Sequence, residues 1–381
     1  MTNLIKPFNL AVSENDLADL RDRLKHTRWP ERETVADWSQ GVPLDRLRSL
    51  CAYWADGYDW RVCERELNAI GQFHTEIDGL DIYFLHIRSP HAAALPMLVT
   101  HGWPGSIIEF RRVIDRLVDP VRFGGSPSDA FDLIIPALPG YAFSGKPTQP
   151  GWGVERIAGA WAVLMRRLGY DRYVAQGGDW GAMVTTALGM AAPPECIGIH
   201  INMPMVRPSR EQLANLTESE SKALEGMAFY EAWDSGYAKL QSTRPQTLGY
   251  GLADSPVGQA AWIYEKFHAW MDKGDGDELP VSLDDVLDNI MLYWLSNSGV
   301  SSGRLYWEVA GKFKPTAVGV PTGVSIFPGE IFRPSRRWVE RRYSNICYWN
   351  EVERGGHFAA FEQPELYVQE MQNCFRPMRT S

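Results

Sequence analysis

Residues 173–189, YVAQGGDWGAMVTTALG, place an acidic residue where a strand is expected to turn into a helix. The apolar start YVAQG predicts a buried strand, and the apolar run after Gly181 predicts a helix. Asp179 lies between them and directly follows Gly177 and Gly178. A sharp turn holds its central residue in a strained conformation, and side chains on its neighbours would collide with the strand and the helix. The stretch therefore predicts a carboxylate on a tight strand-to-helix turn, although an ordinary turn with Asp179 as a helix N-cap would also fit.

Length, charge and cysteine content narrow the class of protein. The chain has 381 residues, of which 45% are hydrophobic and 22% charged, enough for one large domain with insertions. A net charge of -9 disfavours nucleic-acid binding, because such a surface repels phosphate. The five scattered cysteines contain no CxxC pair, which favours a reducing cytoplasm over a disulfide framework or a zinc site. No signal peptide or membrane anchor is evident, so we expect a soluble cytoplasmic protein.

Short apolar runs alternate with helical segments from residue 96 onward. This alternation predicts a mostly parallel, doubly wound sheet, with chemistry at the carboxyl ends of its strands. The helix is predicted at VERIAGAWAVLMRRLG (154–169). The strands are predicted at PMLVTH (96–101), FDLIIPALPG (131–140), YVAQG (173–177), IGIHINM (197–203), PTGVSIFP (321–328) and ICYWNEV (346–352).

Four segments follow from changes in this pattern. Residues 1–90 look like a separate N-terminal unit, with a helix after Ser13 and a hairpin of FHTEI and LDIYFLHI across Asp78-Gly79. Residues 91–205 and 313–381 form the two parts of the α/β core. Residues 206–312 are polar and helical without a clear strand, which predicts a helical lid over the active end of the sheet.

The turn at Asp179 fits the G-x-nucleophile-x-G elbow of the α/β-hydrolase fold, with aspartate in the place of serine. That fold places its acid and its histidine later in the chain, in this order. Glu330 follows the strand predicted at 321–328, and His357 follows the strand predicted at 346–352, in a GGHF loop. Both side chains are therefore expected to converge on Asp179.

The HGWPG motif at residues 101–105 directly follows a predicted strand. In this fold such a loop supplies one backbone N–H to an oxyanion hole. We expect the N–H groups of Trp103 and Trp180 to form that hole, and His101, Gly102 and Pro104 to border the substrate pocket. A plain glycine–proline turn is the alternative.

An aspartate nucleophile implies different chemistry from a serine. A carboxylate needs no base and can attack a saturated carbon directly, forming an ester with the enzyme. His357 could then activate water against that ester, with Glu330 orienting the imidazole. The sequence GVSSG (299–303) also matches G-x-S-x-G, but it follows a helical segment and therefore does not predict a serine nucleophile.

Together, GGDWG, HGWPGS, the GE and GGHF loops and the N-terminal segment resemble epoxide hydrolases of the microsomal type over nearly the whole chain. The resemblance implies an α/β-hydrolase fold, a small-molecule epoxide and water as partners, and neither cofactor nor metal. It also implies that lid tyrosines at Tyr237 and Tyr306 donate hydrogen bonds to the epoxide oxygen. Mammalian members of the microsomal type carry an N-terminal membrane anchor; no such segment is evident in this sequence, so we expect a soluble form. The segment MDKGDGDELP (271–280) is short and acidic beside longer family versions.

Two other functions remain open from the sequence. A haloalkane-type dehalogenase would use the same Asp–His chemistry and could hold a halide with Trp180. A catalytically silent ligand-binding protein could share the fold, since fold does not fix function. The aromatic content, fifteen each of Trp, Tyr and Phe, favours a lipophilic aryl or alkyl substrate. The sequence leaves open a role in detoxification or biosynthesis, and whether the protein is a homo-oligomer.

Overall fold

The computed structural model describes residues 4–379, which contain one nine-stranded sheet. The strand order is β1-β2-β3-β5-β4-β6-β7-β8-β9. The six strands from β4 to β9 pair in parallel, as the alternating sequence predicts, and the first three are antiparallel. The strands are β1 (Lys6–Pro7), β2 (Gln72–Ile77), β3 (Leu80–Ile87), β4 (Leu95–Thr100), β5 (Phe131–Pro136), β6 (Tyr173–Gly177), β7 (Cys196–Ile201), β8 (Thr322–Ile326) and β9 (Ile346–Glu351).

The N-terminal hairpin extends the core sheet. Asp78 and Gly79 both have positive φ, 53° and 77°, as the tight turn between β2 and β3 requires. Strand β3 then pairs with β5, with Leu85 opposite Ile135. The hairpin prediction is confirmed, and the pairing of β3 with β5 joins these strands to the sheet of the core by hydrogen bonds. The division of the chain into four segments stays a prediction.

Helices cover the sheet and form the segment between β7 and β8. Ser13 caps the first helix as predicted, accepting a hydrogen bond from the N–H of Asp16. A π turn at Tyr230–Asp234 separates α8 from α9. The helices are α1 (Glu14–Lys25), α2 (Leu44–Asp56), α3 (Trp60–Ala69), α4 (Arg111–Val118), α5 (Val154–Arg167), α6 (Asp179–Ala191), α7 (Arg210–Leu213), α8 (Glu218–Phe229), α9 (Gly236–Thr243), α10 (Pro245–Asp254), α11 (Pro256–Trp270), α12 (Leu283–Leu295), α13 (Gly299–Val309), α14 (Arg336–Val339), α15 (Ala359–Glu362) and α16 (Pro364–Phe375).

The regular elements between β7 and β8 are all helices, joined by loops, as predicted for residues 206–312. The N-terminal helices pack on these helices: α1 and α2 contact α11, and α3 contacts α12. The hydroxyl of Tyr58 donates a 2.6 Å hydrogen bond to Asp288, and the indole of Trp54 contacts the sulfur of Met291. The N-terminal segment thus packs against the helices between β7 and β8. The role of these helices as a lid, and the boundaries of both segments, stay predictions. In residues 4–379, none of the helices combines the length and apolar character needed to cross a bilayer.

Candidate active site

Asp179 lies on a strained turn between β6 and α6. Its φ is +48°, a left-handed value that is uncommon for a residue with a side chain. The neighbouring glycines are required by space: a Cβ on Gly177 would lie 2.2 Å from the backbone of Gly181, and a Cβ on Gly181 would lie 1.9 Å from the carbonyl oxygen of Thr100. The elbow expected from the sequence is present, and it presents the Asp179 carboxylate at the carboxyl end of the sheet.

The structure brings Asp179, His357 and Glu330 together. The Nε2 atom of His357 lies 3.5 Å from Oδ2 of Asp179, and its Nδ1 lies 2.6 Å from Oε1 of Glu330. Glu330 Oε1 also accepts a 2.7 Å hydrogen bond from the N–H of Ile331, which fixes the carboxylate. The side chains of His357 and Glu330 are 2% and 0% exposed, against 14% for Asp179, so Asp179 is the member that faces open space.

Two carboxylates control the charge of His357. Burial by itself would lower the pKa of the imidazole, but Glu330 and Asp179 raise this pKa well above its ordinary value. The histidine is therefore a cation while both carboxylates are ionised. Any reaction that neutralises Asp179 removes one of the two charges that hold this proton.

The HGWPG loop contacts the nucleophile candidate directly. The N–H of Trp103 donates a 2.8 Å hydrogen bond to Oδ1 of Asp179, which leaves Oδ2 toward His357. A Cβ on Gly102 would lie 2.2 Å from that same Oδ1, so only glycine allows this approach. Trp180 is in the first turn of α6, where its N–H has no partner within the helix. Its contribution to an oxyanion hole stays a prediction.

His101, Gly102 and Pro104, which we expected to border the substrate pocket, contact other groups of the protein or border a small cavity. His101 is buried, hydrogen-bonded to the carbonyl of Gly102 and to the N–H of Leu138, and burial lowers its pKa to about 4. The carbonyl of Pro104 accepts a hydrogen bond from Asn289. His101 and Gly102 border a small cavity beside Asp179, and none of the three borders the larger cavity described next.

The larger cavity, of about 330 Å³, opens on Asp179 and is bordered by both predicted tyrosines. The rings of Tyr237 and Tyr306 lie 5.8 Å apart. The indole of Trp103 stacks on Tyr237 at 4.7 Å, and the indole of Trp180 meets Tyr306 edge-on at 4.6 Å. Burial raises the pKa of both phenols well above the ordinary value, so both are protonated donors. Much of the remaining lining is apolar, including Met183, Met203, Met205, Val309, Phe313 and Phe332.

A second cavity, of about 20 Å³, also borders Asp179. A single water needs roughly 10–15 Å³ of this kind of volume and two to four polar partners. The lining includes Asp179, His357, Glu109 and Asn202. Burial raises the pKa of Glu109 to about 8, so this carboxyl group is mostly neutral at pH 7.

Two residues of the site, Glu109 and Tyr230, are missing from the sequence prediction. Tyr230 borders the larger cavity, and its hydroxyl lies 3.0 Å from that of Tyr237. Glu109 lies in the apolar run SIIEF, and a carboxylate within a buried run is unusual. This feature of the sequence is enough to mark Glu109 as a candidate site residue. No comparable signal separates Tyr230 from the other tyrosines.

Two further segments have clear structural roles. Ser301, in the GVSSG sequence, is part of helix α13 and donates a hydrogen bond to the carbonyl of Gly140, so it is not on an elbow. The short segment 271–280 packs against the loop that carries His357, since Asp272 accepts a 2.7 Å hydrogen bond from the N–H of Gly355. This segment is not part of the larger cavity's lining.

Comparisons with known proteins agree with this geometry. Residues 5–110 match the family model of the epoxide hydrolase N terminus, and residues 96–252 match that of the alpha/beta hydrolase fold. The chain is 55% identical over 376 residues to a protein of Stigmatella aurantiaca whose name proposes it as an epoxide hydrolase, covering 98% of this chain and 86% of that one. It is 36% identical to epoxide hydrolase 1 of Oryctolagus cuniculus, covering 96% and 88%.

A solved structure gives the same result. The juvenile hormone epoxide hydrolase of the silkworm Bombyx mori superposes with a TM-score of 0.91 at 31% identity, covering 99% of this chain and 95% of that one. Fold and site together define a hydrolase of the α/β-hydrolase fold. Within that class, the chain belongs to the epoxide hydrolase family.

Proposed function

We propose that the protein hydrolyses a lipophilic aryl or alkyl epoxide to a vicinal diol through an ester on Asp179. One observation carries this proposal: the two oxygens of Asp179 have different surroundings. Oδ1 is held by the N–H of Trp103, while Oδ2 is turned toward His357 at the edge of a cavity that Tyr237 and Tyr306 border. A carboxylate held by one oxygen is oriented to attack with the other.

In the first step, Oδ2 attacks an epoxide carbon as the C–O bond of the ring breaks. The ring oxygen takes the electron pair of that bond, and Tyr237 and Tyr306 stabilise it, one of them giving up its proton. Because the phenols are protonated at neutral pH, they are donors from the start. The product of this step is a hydroxyalkyl ester of Asp179.

In the second step, water attacks the carbonyl carbon of that ester. Forming the ester removes the charge of Asp179, so the pKa of His357 falls and the imidazolium releases its proton to solvent. The neutral imidazole then accepts a proton from the attacking water. The small cavity beside Asp179 and His357 has room for this water. The N–H of Trp103 faces the carbonyl oxygen, where negative charge develops. As the tetrahedral intermediate collapses, His357 gives that proton to the leaving oxygen of the diol. The carboxyl group of Asp179 then passes its own proton to His357, which restores the carboxylate and the imidazolium.

The setting of the reaction follows from the same features. The apolar lining of the cavity favours a lipophilic substrate, and the proposed steps need only water as the second reactant. The acidic chain with scattered free cysteines suits a reducing cytoplasm, where we propose that the protein acts.

The two phenols at the larger cavity favour an epoxide hydrolase over the dehalogenase alternative, because they suit an alkoxide, which must be protonated, whereas a halide needs no proton. The indole N–H of Trp180 does not separate the two functions: it is buried without a hydrogen-bond partner among residues 4–379, which leaves this donor free for a halide.

The test is a panel of racemic aryl and alkyl epoxides and matching chloroalkanes, assayed for diol and chloride with wild type and Asp179→Ala. We expect diol from epoxides with wild type only. Release of chloride without diol would favour a dehalogenase. Diol formation by Asp179→Ala would refute the ester.

A further inference from the structure

Tyr230 is a third tyrosine at the larger cavity, and its hydroxyl is hydrogen-bonded to the hydroxyl of Tyr237 at 3.0 Å. Tyr237 is 6% exposed, whereas Tyr230 is only half-buried. The pair therefore runs from a hydroxyl deep in the site to one nearer the solvent.

The backbone fixes Tyr230 in this position. It is the first residue of the π turn Tyr230–Asp234, a rare helical form that is often found at functional sites. Asp234, the last residue of the turn, is held from two sides: Lys266 Nζ lies 2.6 Å from its Oδ1, and the indole N–H of Trp270 lies 2.6 Å from its Oδ2. With the turn anchored at that end, the Tyr230 hydroxyl is held against Tyr237.

A phenol has one proton, so the direction of each hydrogen bond matters. If Tyr237 gives its proton to the ring oxygen, Tyr237 has no proton left to donate to Tyr230. In that case the Tyr230 hydroxyl must be the donor and the Tyr237 oxygen the acceptor. As the ring opens, Tyr237 gains phenolate character, and a hydrogen bond to a charged oxygen is about twice as strong as a neutral one. The contact between the two hydroxyls therefore strengthens in the transition state, which is the condition for a contribution to the rate.

We infer that Tyr230 is a positioning residue that donates its hydroxyl hydrogen bond to Tyr237 during ring opening and then returns a proton to it. The proton balance is closed. Tyr237 gives one proton to the alkoxide, Tyr230 replaces it, and solvent water reprotonates Tyr230. His357 releases one proton to solvent when the ester forms, and hydrolysis of the ester returns one proton to His357. This inference rests on the proposed function, because it needs Tyr237 as the donor to the epoxide.

The test measures the two chemical steps separately in single turnovers. Ester formation is followed by the fluorescence of tryptophans such as Trp103, and ester hydrolysis by quenching and mass analysis of the adduct. Tyr230→Phe should slow ester formation about 10- to 150-fold, the range for loss of one hydrogen bond to a charged group, and leave ester hydrolysis within about twofold. The matched control is Tyr250→Phe, which removes the hydroxyl of a tyrosine that is 70% exposed on α10 and should change neither step.

Two measurements separate a role in proton transfer from a loss of packing. The rate of ester formation is measured as a function of the fraction of heavy water in the solvent. In wild type this dependence should require more than one transferred proton, and in Tyr230→Phe it should require one. In the double variant Tyr230→Phe/Tyr237→Phe, ester formation should be no slower than in Tyr237→Phe alone, because Tyr230 acts only through Tyr237.

The outcomes also separate this inference from the proposed function. Slow ester formation in Tyr237→Phe with a normal rate in Tyr230→Phe would overturn the inference and leave the proposed function standing. Normal rates in both variants would overturn the inference together with the donor role of Tyr237. Additive effects in the double variant would show that Tyr230 acts by another route and would also overturn it.

Discussion

Glu330→Gln is the most informative substitution in the proposed catalytic set, because it removes a charge and keeps the shape. Glu330 Oε1 lies 2.6 Å from Nδ1 of His357 and 2.7 Å from the N–H of Ile331. A glutamine can keep both contacts with its carbonyl oxygen. What it loses is the negative charge that stabilises the imidazolium when His357 takes a proton from water.

The size of the effect follows from that one contact. A hydrogen bond to a charged group contributes about 1.5–3 kcal/mol, which corresponds to a roughly 10- to 150-fold slower hydrolysis of the ester. The loss is larger if the amide turns its NH₂ toward Nδ1, because the histidine then holds the wrong tautomer. Ester formation should change little, because a carboxylate nucleophile needs no base.

Rapid quenching followed by intact mass measurement tests this expectation. The variant should accumulate an adduct of the mass of the epoxide, located on the peptide that contains Asp179, while wild type shows little. The matched control is Glu370→Gln, which changes a buried, hydrogen-bonded carboxylate that borders neither cavity beside Asp179. Ester hydrolysis within twofold of wild type in Glu330→Gln would refute the assigned role.

The remaining predictions use the same single-turnover assay. His357→Gln should form the ester and fail to release it, with hydrolysis slowed about 10²- to 10⁴-fold; a variant without adduct would exclude a two-step reaction. In wild type, ester hydrolysis should fall tenfold per pH unit below the pKa of His357 in the ester, because the protonated imidazole cannot act as a base. Tyr306→Phe should slow ester formation more than ester hydrolysis, and the reverse order would remove this phenol from ring opening. Gly102→Ala should lower the rate of ester formation by about 10² or more, since its methyl group would displace Oδ1 of Asp179; Gly159→Ala, with open space around the new Cβ, is the control and should retain full activity.

The sequence predicts the arrangement of Asp179, Glu330 and His357 because that arrangement is a property of topology. Each residue follows a strand of the sheet, and the carboxyl ends of parallel strands meet at one edge of it. The strands before Asp179 and Glu330 are buried as predicted, whereas β9, before His357, is the edge strand and has no fully buried residue. The role of the glycines around Asp179 can also be predicted from the sequence, because close backbone contacts leave no room for a Cβ. The strand ends are less accurate: β5 ends at Pro136, not at residue 140, because the apolar residues that follow belong to a buried loop.

Long-range contacts account for what the sequence does not predict. The pairing of β3 with β5, which joins the N-terminal hairpin to the core, leaves no local signal in the hairpin. Tyr237 and Tyr306 come from the family resemblance alone. Tyr230 lies at the site because of the π turn at Tyr230–Asp234 and the contacts of Asp234 with Lys266 and Trp270, which the sequence does not predict.

The source of the oxygen in the first molecule of product tests the ester on Asp179 most directly. One turnover in water enriched in ¹⁸O, with enzyme in excess over epoxide, should give a diol with no heavy oxygen. The peptide that contains Asp179 should instead become 2 Da heavier, because the new oxygen enters the carboxylate. Heavy oxygen in that first diol, with an unlabelled peptide, would show direct attack of water on the epoxide and contradict the account.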